Sequence, residues 1–263
     1  RCSFVLFLWP FLEQQSLYDR YDFSKQPFEP PNSSRTVVGG STETSPLGSP
    51  AQLVSLYFCP SDRAPSLHRD NYATFARGNY ALNYGNRTWG YDNDANGATP
   101  PAAYAPFAAL TYSSTSCTLS EPNYKSFTDG LSKTVLMSEM IVPAWNGTTT
   151  STYPAQLDFR ATLLCDNFFF TPSWVSNAFM TINTPNSSVP DVNGCQPATD
   201  TDPKTPCSPG ADSARQAAAR SRHAGGVITL LGDGAVTFVS DSIASAVWRA
   251  VGTMNGGESL SLD

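Results

Sequence analysis

Charged side chains are scarce in this sequence. They make up 14% of its 263 residues, against about a quarter of an average soluble protein. Histidine occurs twice, as His68 and His223. Basic residues are outnumbered by acidic ones, 16 to 22, for a net charge of −6. No basic face is therefore available to displace counterions from phosphates, which excludes nucleic acid as a partner. The same deficit excludes a polybasic membrane patch. No apolar run approaches the ~20 residues of a membrane-spanning helix. No P-loop, dinucleotide-binding glycine pattern or Gly-x-Ser-x-Gly elbow is present. Six cysteines (Cys2, Cys59, Cys117, Cys165, Cys195, Cys207) include no closely spaced pair, which argues against a zinc knuckle read from linear spacing.

Proline and glycine are plentiful, at 21 and 18 residues, and aromatics reach 12%. This composition describes a loop-rich β-protein, not a helical bundle. An even cysteine count without metal spacing points to disulfides outside the cytoplasm. Cys195–Cys207, closing a short polar loop, is the pairing expected. Asn-x-Ser/Thr sequons stand at Asn32, Asn86, Asn146 and Asn186. The chain opens at Arg1 without Met, so we expect it to start inside a longer gene product.

The fold class expected is α+β, as one domain over 1–263. Its sheet is antiparallel, built from strands at 134–139, 227–231 and 235–239. Gly232, Asp233 and Gly234 between the last two supply the φ > 0 positions of a tight turn. A C-terminal helix over 242–253, capped by Asp241 or Ser242, packs Ile243, Val247, Trp248 and Val251 on the sheet. Gly256 and Gly257 end it. Cys2 to Trp9 reads as a buried strand, followed by a short helix from Pro10 with Phe11, Leu12 and Tyr18 on one face. Further strands are expected at 52–59, 160–170 and 174–182, and 127–130 is a turn. Loop-rich insertions fill about 22–50, 86–125 and 143–220, with 183–210 as a surface loop.

Several blocks resemble one family. His223, nine residues and then Asp233-Gly234 is similar to the His-x9-Asp-Gly signature of a planctomycete-type family of unknown function, whose genes open with a prepilin-like cleavage and methylation segment. WPFLEQQSLYDRYDF (9–23), FCPSD (58–62) and GNYALNYG (78–85) resemble its blocks in order. So do FTDGLSKTVLMSE (127–139), TPNSSVPDVNGC (184–195) and RAVGTMNGGE (249–258). Ala224, Leu131 and Lys133 depart from its pattern. The resemblance implies a pilin-like or pseudopilin-like head, displayed outside the inner membrane and joined to it only through an N-terminal helix. Its partners would be copies of itself or related subunits. His223, Gly225, Gly226, Asp233, Gly234, Asp129, Gly130 and Glu139 then mark architecture.

Chemistry at the signature is constrained by strand length. Five extended residues separate their flanks by roughly 17 Å, so His223 and Asp233 cannot touch. Asp233 is expected to hold the turn, and His223 to pack near Gly225-Gly226, where another backbone approaches closely. A carboxylate partner for His223 would come from Asp129 or Glu139, or from another subunit. Asp129, Glu139, Asp158 and Asp166 are the acids available for a glycosidase-like pair, but turn-forming or solvated roles suit them better. The reading is that the protein is not an enzyme. Asp92, Asp94 and Asn96 form an oxygen-rich loop that is the one candidate for calcium; no other cofactor is expected. The alternative to an assembly subunit is a polysaccharide-binding or hydrolytic module, motivated by the aromatic content.

Overall fold

The computed structural model describes residues 4–25, 31–32, 48, 51–63, 65–69, 74–88, 105–107, 109–112, 117–119, 122–144, 158–163, 176–193, 195, 202–209, 215–260 and 262. Helix α1 (Phe4–Leu8) runs into a 3-10 turn (Trp9–Leu12) and α2 (Gln15–Arg20). Short strands follow: β1 (Leu67–Arg69), β2 (Thr74–Ala76), β3 (Tyr80–Asn83), β4 (Ala109–Tyr112) and β5 (Cys117–Leu119). Then come β6 (Val135–Glu139), β7 (Ala178–Phe179), β8 (Asp191–Asn193) and β9 (Cys207–Pro209). The chain closes with β10 (Gly226–Leu231), β11 (Val236–Ser240) and α3 (Ser245–Ala250).

The architecture is α+β around a five-stranded sheet in the order β11-β10-β6-β3-β7. The expected strands β6, β10 and β11 lie side by side and antiparallel. β3 adds a fourth antiparallel strand, and β7 closes the edge in parallel, which the all-antiparallel expectation missed. In the β10–β11 turn, Gly234 N–H donates to the Leu231 carbonyl and Asp233 Oδ1 accepts from Ala235 N–H at 2.9 Å. Only Gly234 of the three turn residues has positive φ (88°). Gly232 is needed for a different reason, since a Cβ there would meet the Leu131 carbonyl at 2.9 Å. Gly225 has φ 79°, and a Cβ on Gly226 would collide with the Val239 carbonyl across the hairpin. The close backbone approach expected at this pair therefore exists.

One core lies against the sheet and contains Val135, Phe179, Val227, Val239, Trp248 and Val251. Trp248 is fully buried, stacks on Phe179 and donates its indole N–H to the Asn183 carbonyl at 2.9 Å. Val251 joins it inside, whereas Val247 and Ile243 are only partly covered. Neither expected cap serves α3. Its N-cap is Ala244, because Asp241 accepts from Asn186 and Ser242 pairs with Ser240. The helix ends at Ala250, ahead of Gly256-Gly257, whose N–H groups donate to the Asp129 carboxylate at 2.7 and 2.9 Å. Gly130 takes φ 105° in the expected turn after it.

A second core gathers Val5, Leu6, Trp9, Leu17, Tyr21, Tyr57 and Leu163. Its first stretch corrects the strand expected at 2–9. Val5, Leu6 and Trp9 are inward at helical spacing, and an all-apolar run does not reveal its own period. The helix expected from Pro10 is two pieces. The 3-10 turn resets the phase, so Phe11 points to solvent and Leu17 inward. Residues 52–59 form a 3-10 turn at Ser55–Tyr57, not a strand, with Val54 and Tyr57 inward and Leu53 and Leu56 out. At 160–163 the structure has one bridge, Arg77 to Thr162, because Ala161 adopts φ 62° and breaks the extended run. Of the strand expected at 174–182, the described residues 176–182 contain β7 alone; 164–170 and 174–175 lie outside the described residues.

The 183–210 stretch is more than a surface loop. β8 and β9 pair in parallel, and Cys195–Cys207 is the expected disulfide. Asp191 of β8 is buried between two arginines. Arg220 bonds it at 2.8 Å and Arg160 at 3.4 Å, while Arg160 also bonds Asp158 at 2.6 Å. Spare donors of the two arginines reach the Thr205, Ser187 and Val189 carbonyls. The stretch read as a loop for its six prolines and lack of a long apolar run thus contributes Asp191 to a buried array of two acids and two bases.

Candidate functional site

Three of the blocks that carry the resemblance meet at one point. Cys59 follows the 3-10 turn, and its N–H donates to Asn79 Oδ1 at 2.8 Å. Glu139 ends β6, and its Oε2 accepts from the Ile228 N–H of β10 at 2.7 Å. His223 lies just ahead of β10, where its N–H donates to Ser221 Oγ at 3.1 Å. His223 Nε2 is then 3.1 Å from Glu139 Oε1 and 3.4 Å from Cys59 Sγ. Cys59 and Glu139 are buried, and the His223 side chain is 32% exposed, so the imidazole forms the outer wall of the cluster.

Around it runs a frame of charge. Asp62 accepts from Arg222 Nε at 2.7 Å, from Val142 N–H at 2.8 Å and from the Asn79 amide. Arg222 also bonds Asp202, as does Arg63 at 2.6 Å. Burial works against ionising Asp202, but hydrogen bonds from Arg222 and the Lys204 N–H, with the charges of Arg222 and Arg63, outweigh it and hold its carboxyl below the ordinary value. Tyr80 faces Glu139 across the β3–β6 ladder. Burial first, then the negative charges of Cys59 and Glu139, raises its hydroxyl.

The three side chains do not form a relay. In a nucleophile–imidazole–carboxylate triad the two partners use opposite ring nitrogens. Here thiol and carboxylate share Nε2. Three donor atoms of different chemistry within 4.8 Å of one another are instead an arrangement that could hold a metal ion.

A second feature is an apolar groove of about 430 Å³ between the N-terminal segment and the sheet. Phe4, Leu8 and Leu12 line one side, and Met137, Ile228 and Val236 belong to the other.

Residues 1–246 match the family described as protein of unknown function (DUF1559). The chain belongs to that family. No curated protein and no solved structure matches it.

In this DUF1559 chain the signature's two polar landmarks are separated as strand length requires. His223 meets Glu139, the partner named from sequence as one of two, and Asp233 serves the turn. Asp129, the other named partner, fastens the closing segment. Asp158 is tied to Arg160, so Asp129, Glu139 and Asp158 each have a different set of partners; Asp166 lies outside the described residues. The calcium candidates Asp92, Asp94 and Asn96 also lie outside them. His68, the other histidine, is buried on β1 against Phe159. Trp9 and Trp248 are buried and offer no stacking platform; Trp89, Trp145 and Trp174 lie outside the described residues. Asn32 and Asn186 turn their amide nitrogens to internal acceptors. Cys59 was visible in sequence only as one of six cysteines. Its place in FCPSD, a block of the resemblance together with Glu139 and His223, was the signal that could have singled it out.

Proposed function

We propose that this chain is the globular head of an extracytoplasmic assembly subunit of pilin or pseudopilin type, which packs with copies of itself or with related subunits. The observation that carries the reading is the way the chain enters the fold. An apolar helix, α1, packs into the second core through Val5 and Leu6, touches the sheet's core only through Phe4, and leaves an apolar groove between itself and the sheet. The groove's rim residues Leu56 and Val236 are exposed, as are Phe7 on α1 and Phe11 on the turn after it. Large exposed apolar side chains gathered in one region mark an interaction surface. The Cys195–Cys207 disulfide agrees with an oxidising compartment.

The test places a photo-crosslinking amino acid at position 56 or 236 in cells that express the full gene product. Adducts with the same chain or with another subunit, absent for a probe at exposed Lys125, support the reading. A protein that gives no adduct at either site and is recovered as a monodisperse monomer refutes it.

A further inference from the structure

We propose that Cys59 Sγ, Glu139 Oε1 and His223 Nε2 are three ligands of a mononuclear site for a divalent transition metal of the zinc class, with solvent or an outside group as the fourth. This goes beyond the assembly role and does not depend on it.

Geometry comes first. Zinc lies about 2.3 Å from thiolate sulfur and about 2.0–2.2 Å from imidazole nitrogen or carboxylate oxygen. A tetrahedral centre with those bonds separates sulfur from nitrogen by about 3.5 Å and nitrogen from oxygen by about 3.4 Å. The distances found are 3.4 and 3.1 Å. These two edges lie within tenths of an ångström of the tetrahedral values, and the sulfur and a Glu139 carboxylate oxygen are within 4.8 Å of one another, so closing the third edge is a matter of side-chain adjustment. A hydrogen bond explains one contact of Nε2 but gives no reason for a second partner on the same nitrogen.

Charge agrees. As metal ligands, the buried Cys59 and Glu139 would supply a thiolate and a carboxylate, two negative charges, and the nearby guanidinium of Arg222 is committed to Asp62 and Asp202. A dication with a neutral imidazole makes the site neutral. The donor set selects the metal: sulfur and nitrogen suit zinc and its neighbours and disfavour calcium and magnesium.

Each ligand is also oriented by a second contact, as metal ligands are. Ile228 N–H holds the far oxygen of Glu139, Asn79 holds the backbone of Cys59, and Ser221 holds that of His223. The partly exposed imidazole leaves an approach from solvent, where a fourth ligand would sit.

The experiment uses the full 263-residue chain without a histidine tag, its disulfide intact, stripped with chelator and titrated with Co²⁺ and then Zn²⁺. One equivalent of Co²⁺ should give a thiolate charge-transfer band and the visible bands of a tetrahedral ion, both displaced by Zn²⁺. Cys59→Ser should abolish the charge-transfer band, and His223→Gln should weaken binding at least about tenfold. His223→Gln alters a half-exposed side chain, so circular dichroism that matches the parent keeps the comparison valid. Absence of the band in the parent, or its persistence in Cys59→Ser, overturns the assignment.

Discussion

His223 Nε2 lies 3.1 Å from Glu139 Oε1, joining residues 84 positions apart, while the same carboxylate's other oxygen accepts the Ile228 N–H. One side chain thus ties the segment before β10 to β10 itself. Glu139→Ala should destabilise the fold by about 1–3 kcal/mol, because a buried amide and the imidazole both lose their acceptor. Urea unfolding reads this directly, and a variant with the parent's midpoint would show that water substitutes for the carboxylate.

The buried array of Asp158, Arg160, Asp191 and Arg220 should be far less forgiving. Asp191→Asn removes the charge shared by two arginines, and unpairing a buried ion typically costs about 3–5 kcal/mol. Neutralising half-exposed Arg63 should cost about 1 kcal/mol or less. Equal losses in the two variants would contradict the burial assigned here.

Trp248→Ala should cost about 3–5 kcal/mol, since it empties a fully enclosed site and leaves the Asn183 carbonyl without its donor. Val247→Ala, on the half-covered side of α3, should cost less than half as much. Thermal melts of the pair check the helix's rotation on the sheet.

Burial pushes the Tyr57 hydroxyl up to about 12 from 10.0. Between those values the unfolded chain has released a proton that the folded chain keeps, so stability is unaffected below pH about 10 and falls as pH rises toward about 12. The same hydroxyl donates to the Val5 carbonyl at 3.4 Å. Tyr57→Phe should flatten the alkaline limb of Tm against pH; an unchanged slope would assign that limb to other tyrosines.

Legibility in the sequence followed the range of the interactions. The β10–β11 hairpin was readable because turn chemistry and strand residues are neighbours in sequence, and Asp233 could be placed by its short side chain alone. Trp248 was readable from a helical repeat. α1 and the 52–59 stretch were not, because runs such as FVLFL present apolar residues on every side and satisfy either period. The Cys59–Glu139–His223 cluster lay beyond any spacing rule. Metal motifs are sought as close pairs, and here each ligand arrives from a different segment. Asp191 was hidden for a related reason: an acid in a Pro-rich stretch looks solvated until Arg160 and Arg220 fold around it.

The same array bears on how the molecule assembles in time. Its members come from 158–160, 191 and 220; Asp158 and Arg160 pair locally, but Asp191 has both its cations only when Arg160 and Arg220 have docked on it. A partly built version leaves an ion stranded in a dry setting, which is less stable than no array at all. That region should consequently close in one concerted late event, reached by long-range search and not by local zippering. The Ala218 amide, bonded to Asp191, and the Arg160 amide, bonded to Asp158, should then exchange with deuterium as a single unit. Exchange of one well before the other would show that the array opens arm by arm.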